Sequence, residues 1–279
     1  MNLRRAVITA AGKERQEHPL QRLVDRDGVA RPALEIIVDE ALAAGADEIA
    51  VVVRPGDESA FRVAIGNRPS RVEMIPQPEP KGYGDAVLRA REFVGDEPFL
   101  HFVGDHLYVS DVEARCAEQL VEVARRERCS ISAVQPTREG MLPYFGAIGG
   151  RRVSHTSRLY EIETVLEKPT PTQAEQELVV PGLRAGHYLC FFGMHVFTPA
   201  VFELLSAADE AGRRHLSPSL DTLARRERYL AHQVQGTRYD LGSPYGPLTA
   251  QLALALSGRE RAEVLAQIVE LLARQPQMS

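Results

Sequence analysis

Apolar runs and polar breaks alternate along the first half of this chain, and their period switches between that of a buried strand and that of a helix. Residues 5–10 form a short apolar run, read as a strand, and a polar loop follows over residues 12–30. Residues 32–44 have helical spacing, with Pro32 near the start and Gly45 just past the end. Residues 49–53 read as a buried strand, 57–66 as a short helix and 71–75 as a strand. A helix over 85–93, a strand over 99–103, a helix over 111–126 and a strand over 130–134 complete the alternation. Strands that are apolar on both faces and separated by helices predict an α/β fold. Its sheet is expected to be twisted, mostly parallel, joined by right-handed crossovers and flanked by helices.

The pattern changes after Pro136. Residues 144–149 and 159–166 read as strands with little between them, and 187–197 as a long aromatic strand broken by Gly193. Helices over 199–206 and 217–225, a strand over 229–234, and helices over 246–256 and 259–272 finish the chain. The polar segment 170–184 is expected to be a mobile loop. In the last helix Val264, Leu265, Ile268, Leu271 and Leu272 share one face, read as core packing with a homo-oligomer interface as the other possibility. With no repeat or linker, the expectation is one domain over 1–279. Residues 1–136 and 137–245 form its two halves, and 246–279 its terminal helices.

Composition narrows the functional classes. The chain has 279 residues, is 25% charged and carries a formal net charge of −5. That balance, without a basic stripe, argues against a nucleic-acid partner, which needs clustered Lys and Arg to neutralise phosphates. No apolar run reaches membrane-spanning length, so no membrane partner is expected. The first apolar segment is too short for a signal peptide. The three cysteines, Cys116, Cys129 and Cys190, lack paired or metal-site spacing and are expected to be reduced and buried, as in a cytoplasmic protein.

Candidate chemistry gathers at strand ends, where open α/β sheets bind ligands. Ala10-Ala11-Gly12 leaves the first strand with small residues that let a ligand approach the backbone. Gln77 and Gly82 lie in the Pro-stiffened stretch QPEPKGYGDAV; a glutamine amide offers both a donor and an acceptor to a nucleobase edge. Gly104-Asp105 ends the strand over 99–103, and Asp240 follows a later strand. Two carboxylates with phosphate oxygens make a hard-oxygen site suited to magnesium. Glu167-Lys168-Pro169 closes another strand, with a lysine for phosphate and a glutamate for sugar hydroxyls. Taken singly, each also reads as a tight turn, a helix-start charge or a surface ion pair.

The stretches VITAAG, PALEIIVDEALAAGADEIAVVV, QPEPKGYGDAVLRAREFVGDEPF, GDHLY, YFGAIGG, VLEKP, GMHVFTP and YDLGSPYGPLTA occur in an order that resembles sugar-1-phosphate nucleotidyltransferases. The similarity is greatest to bacterial UTP–glucose-1-phosphate uridylyltransferases and runs from Ala6 to about Ala255. The resemblance implies a Rossmann-like nucleotidyltransferase fold with a small β-rich sugar-binding portion. It implies that Ala10, Ala11, Gly12, Gln77 and Gly82 hold the nucleotide and that Gly146, Glu167 and Lys168 hold the sugar phosphate. It implies that Asp105 and Asp240 bind Mg2+, and that a nucleoside triphosphate and a sugar 1-phosphate are the substrates.

One stretch departs from the family. In place of a G-x-G-T-R loop with a downstream lysine the chain reads GKERQEHPLQRLVD, residues 12–25. Lys13, Arg15 and Arg22 supply the positive charge, and Arg15 is expected to neutralise the leaving pyrophosphate through its planar fork of donors. The expected reaction is in-line attack of a sugar-phosphate oxygen on the α-phosphorus, assisted by Arg15, Asp105 and Lys168. The competing reading is a binding protein on the same fold with weak or no catalysis.

Overall fold

The computed structural model describes residues 1–12, 17–66, 71–208 and 215–274. The chain opens with β1 (Arg5–Thr9) and a small hairpin of β2 (Arg22–Val24) and β3 (Ala30–Pro32). Helix α1 (Ala33–Ala43) leads to β4 (Glu48–Val53), and α2 (Glu58–Ile65) leads to β5 (Arg71–Pro76). Helices α3 (Tyr83–Arg89) and α4 (Arg91–Val94) return the chain to β6 (Phe99–Val103). Then come β7 (His106–Ser110), α5 (Cys116–Glu127) and β8 (Ser130–Arg138). The second half holds β9 (Gly146–Arg152), β10 (Leu159–Glu167), α6 (Pro171–Glu177) and β11 (His187–Phe197). It ends with α7 (Ala200–Ala207), α8 (Leu216–Arg226), β12 (Tyr229–Gln233), β13 (Gly236–Asp240), α9 (Gly246–Leu256) and α10 (Arg261–Ala273).

A 9-stranded sheet runs in the order β5-β4-β1-β6-β11-β8-β12-β10-β9. The block β5-β4-β1-β6 is parallel, as the strand–helix alternation predicts. At β11 the direction reverses, and only β12 on β8 is parallel in the remainder. The β9–β10 seam follows from a short connection, which cannot make the crossover that a parallel pair needs, whereas the other antiparallel partners are far apart in sequence. The apolar spacing of α1 lays Leu34, Ile37, Val38 and Ala41 on one sheet face, with Leu120 and Ala124 of α5 beside them. Val87 of α3, Phe202 of α7 and Leu220 of α8 cover the opposite face. Both faces are therefore sealed, and ligand access is confined to the strand ends.

Several local expectations change: the loop expected over 12–30 carries β2 and the start of β3, and the helix expected over 111–126 starts at Cys116. Residues 170–184 contain a capped helix: Thr170 accepts from the Gln173 backbone N–H, and Gln173 Oε1 accepts from the Thr170 N–H at 3.0 Å. The helical stretch over 85–93 starts at Tyr83 and is split at Ala90. The apolar stripe of α10 is not core, because that helix buries no residue and leaves Leu265, Leu271 and Leu272 exposed. The three cysteines are free and buried, as expected.

Candidate active site

The parallel block aims the ends of β1 and β6 at one edge, and Gly104 allows them to converge. A Cβ at Gly104 would lie 2.9 Å from both the Ala10 Cβ and the Thr9 carbonyl oxygen. With only hydrogen there, the Gly104 N–H donates to the Thr9 carbonyl at 2.9 Å and the chain turns directly into Asp105. A cleft of about 350 Å³ opens at this edge, lined by Ala10, Ala11, Gly12, Gln77, Gly82 and Asp105. Every residue expected to hold the nucleotide therefore meets Asp105 in one cavity.

The loop that carries Gln77 is tied to the helix it precedes. Gly82 has φ 110°, a left-handed backbone that a side chain would strain. Gln77 Nε2 donates to the Gly82 carbonyl at 3.2 Å and to Asp85 Oδ2 at 2.8 Å. Both amide protons are thus committed inside the protein. The sequence pattern offers Gln77 as donor and acceptor, but in the fold its oxygen is what it can present to a ligand.

Asp240 reaches the same edge from the other half. Strand β13 pairs antiparallel with β7, placing Asp240 opposite His106. Ligand atoms of Asp105, His106 and Asp240 all lie within 4.8 Å of one another. Gly246 holds the strand end close, because a Cβ there would fall 1.8 Å from the Asp240 carbonyl oxygen. The Gly242 N–H donates to Asp240 Oδ1 at 2.8 Å, fixing the carboxylate. His106 Nδ1 lies 2.8 Å from Asp105 Oδ1. Magnesium selects hard oxygens, so this donor set fits it through the two carboxylates, with the imidazole orienting Asp105.

Gly146, Glu167 and Lys168 form a second group. Gly146 and Glu167 are paired across β9 and β10. The Ser217 hydroxyl donates to Glu167 Oε2 at 2.5 Å, and a Cβ on Gly146 would meet both of these groups and the Phe191 ring at 2.9–3.2 Å. Lys168 sits at φ 48° with its N–H donating to the Phe145 carbonyl at 3.2 Å. A lysine in that conformation stores local strain, which the buried Pro169 and this hydrogen bond hold in place.

Tyr83 links the two groups. It lines the cleft, and its hydroxyl feels the negative charge of both Asp105 and Glu167. Burial first, then those carboxylates, push its pKa well above the usual tyrosine range, so the hydroxyl keeps its proton. The hydroxyl also lies 3.5 Å from His101 Nδ1, whose Nε2 is 3.3 Å from the Thr9 hydroxyl. Burial drives His101 down to about 3, so it is neutral. His195 is also held neutral by burial, with the neighbouring His101 adding to the effect, and it bonds the Ser132 hydroxyl.

Arg15 and Lys13 lie outside the described residues. Four residues that the sequence reading did not single out stand at the site: His106, Tyr83, Ser217 and Arg238. His106 follows Asp105 directly, and Tyr83 lies between the glycines of the loop. Ser217 and Arg238 carry no local signal, because the packing of α8 against β10 and the pairing of β13 with β7 bring them in.

The chain belongs to the nucleotidyl transferase family, whose model matches residues 8–255. Among curated proteins it is similar to a UTP–glucose-1-phosphate uridylyltransferase of Streptococcus pneumoniae, at 30% identity over 91% of each chain. A Streptococcus pyogenes protein of the same name is 28% identical, over 91% of this chain and 89% of its own. Among solved structures, a UDP-glucose pyrophosphorylase complexed with UDP-glucose superposes with a TM-score of 0.75 at 24% identity, covering 90% of this chain and 98% of its own. UDP-glucose pyrophosphorylase from Acinetobacter baumannii gives 0.77 at 20% identity, covering 97% and 100%. These two structures bear on the fold, and both agree with the mixed sheet described above.

Proposed function

We propose that this protein transfers a nucleotidyl group, UMP from UTP, to glucose 1-phosphate, giving UDP-glucose and pyrophosphate. The observation that carries the reading is the convergence of Asp105, at the end of the nucleotide-side cleft, with Asp240 from the second half. The uridylyltransferase names of the relatives, similar over 91% of the chain, supply the substrate pair.

An oxygen of the sugar phosphate forms a bond to the α-phosphorus while the bond to the bridging β-oxygen breaks in line, and that oxygen leaves with pyrophosphate. The acceptor is already an anion, so no general base is required. Catalysis is positioning and charge neutralisation. Asp105 and Asp240 would hold Mg2+, which when bound offsets phosphate charge. The amides after β1 and at Gly82 hold the nucleotide. The Gln77 oxygen accepts the N3–H of uracil, a donor that cytosine lacks. Glu167, fixed by Ser217, binds sugar hydroxyls, and Lys168 binds the sugar phosphate. Residues 1–136 thus serve the nucleotide and 137–245 the sugar phosphate, while Asp240 closes the site between them. Among the described residues no helix is long and apolar enough to cross a membrane.

Pyrophosphate release with a panel of nucleoside triphosphates and sugar 1-phosphates tests the reading. UTP with glucose 1-phosphate should give the highest kcat/KM. Nucleotide binding without release from any pair would favour the binding-protein alternative that the altered loop over 12–25 raises.

A further inference from the structure

Arg238 is buried on β13 at 6% exposure, and its Nη1 and Nη2 have no hydrogen-bond partner. Its strand neighbours do not satisfy it. Tyr108, opposite in the β7 register, commits its hydroxyl to the Gly193 carbonyl at 2.7 Å. Gln135 Oε1 accepts from the backbone N–H of Arg238, at 3.4 Å, not from its side chain. The Phe145 ring lies over the guanidinium, 3.6 Å from Cζ to the ring centroid. A cation over an aromatic face regains part of its lost hydration, but the ring plane offers nothing to the in-plane N–H groups. A guanidinium held with donors unmet is strongly disfavoured unless an anion joins it.

The position of this guanidinium identifies the anion. Arg238 and Asp240 are two residues apart on one strand, so their side chains share a face. Phe145 immediately precedes Gly146, and its carbonyl takes the Lys168 N–H. The orphaned fork therefore lies against the residue that precedes Gly146, on a strand face it shares with Asp240. Resting on the transfer reading above, we infer that Arg238 binds the phosphate of the acceptor sugar 1-phosphate, and that the Phe145 ring is a displaceable cover over it. The planar fork matches two phosphate oxygens at once, and a sugar hydroxyl could not neutralise the charge. Phe145 is half-buried beside the exposed Tyr144, at the margin of the small cluster around Leu142 and Tyr188, so its ring can leave without uncovering either main core cluster. Arg238 and Lys168 then clasp the acceptor phosphate, orienting one of its oxygens toward the α-phosphorus.

The test is calorimetric titration of glucose 1-phosphate onto the full chain with magnesium and α,β-methylene-UTP, which blocks transfer. Arg238→Met should weaken glucose 1-phosphate binding about 10- to 100-fold, the range for losing a charge-assisted hydrogen-bonded pair, with the UTP analogue bound as before. Unchanged sugar-phosphate affinity, or an equal loss for both ligands, overturns the assignment. If Arg238→Met does not fold, Phe145→Ala gives the second reading. Removal of the cover should tighten inorganic phosphate binding, and unchanged or weaker binding overturns the proposal. Wild-type pyrophosphate release is measured in parallel. Arg238-dependent binding without release defeats transfer but leaves the phosphate site standing. Release with Arg238-independent binding defeats only the Arg238 assignment, and failure of the wild type to bind glucose 1-phosphate defeats both.

Discussion

Asp240 stands directly opposite His106 in the register of β13 on β7, so the residue after Asp105 faces the second carboxylate. Adjacent positions on opposed strands are held by a ladder of backbone hydrogen bonds, not by flexible side chains. The acidic pair is therefore built by a two-stranded ribbon outside the main sheet. Its spacing is set before any substrate arrives.

His106 makes this arrangement testable through the metal. Its Nδ1 is 2.8 Å from Asp105 Oδ1, and such partners orient a ligand without binding the ion. His106→Ala should raise the magnesium concentration for half-maximal rate about 10- to 100-fold while leaving much of the rate at saturating magnesium. A magnesium titration of the initial rate reads this directly. Removal of the metal with a chelator should abolish the rate in both proteins.

Lys168→Met keeps the length of the side chain and removes its charge. KM for glucose 1-phosphate should rise by about 10-fold or more, with KM for UTP little changed, because a charged hydrogen bond to one substrate has been lost. Equal changes in both constants would place Lys168 elsewhere.

Gly104→Ala tests the approach of the strand ends. The new methyl group would lie 2.9 Å from the Ala10 Cβ and the Thr9 carbonyl, at the buried end of β1, which cannot yield cheaply. The loss should be about 1–3 kcal/mol, read as a fall in Tm of several degrees. A variant as stable as the parent would contradict the close approach.

The buried histidines set a pH dependence of stability. His101 is lowered from 6.5 to about 3, and His195 is lowered as well. The unfolded chain binds protons below about pH 6.5 that the folded chain refuses, so stability present above 6.5 is withdrawn as pH falls toward 3. Well below 6.5 each such group can remove about 1.4 kcal/mol per pH unit. Urea unfolding between pH 7 and pH 5 should show this fall, and His101→Gln should flatten it. Equal slopes in the two proteins would contradict a neutral His101.

The parallel block was legible because β1, β4 and β6 are continuous apolar runs with helical spacing between them. Asp105 could be placed at a strand end for the same reason. Strands β7 and β13 were not legible: HLYVS and GTRYD are five-residue, mixed sequences whose pairing depends on positions over a hundred residues apart. The capped helix after Thr170 was hidden because its polar residues satisfy backbone groups and bury little. Gln77 showed what periodicity cannot give, since its two amide protons are committed by tertiary contacts. Arg15 remains an expectation of the sequence, outside the described residues.

The central claim is transfer at the Asp105–Asp240 pair, and phosphorus NMR of the complete reaction tests it most directly. With UTP, glucose 1-phosphate and magnesium, the wild type should convert both substrates to UDP-glucose and pyrophosphate in equal amounts. Asp105→Asn, folded to the same Tm within a few degrees, should turn over more slowly by about 100-fold or more. Undiminished formation of UDP-glucose by Asp105→Asn, or persistence of both substrates with the wild-type protein, would contradict the account.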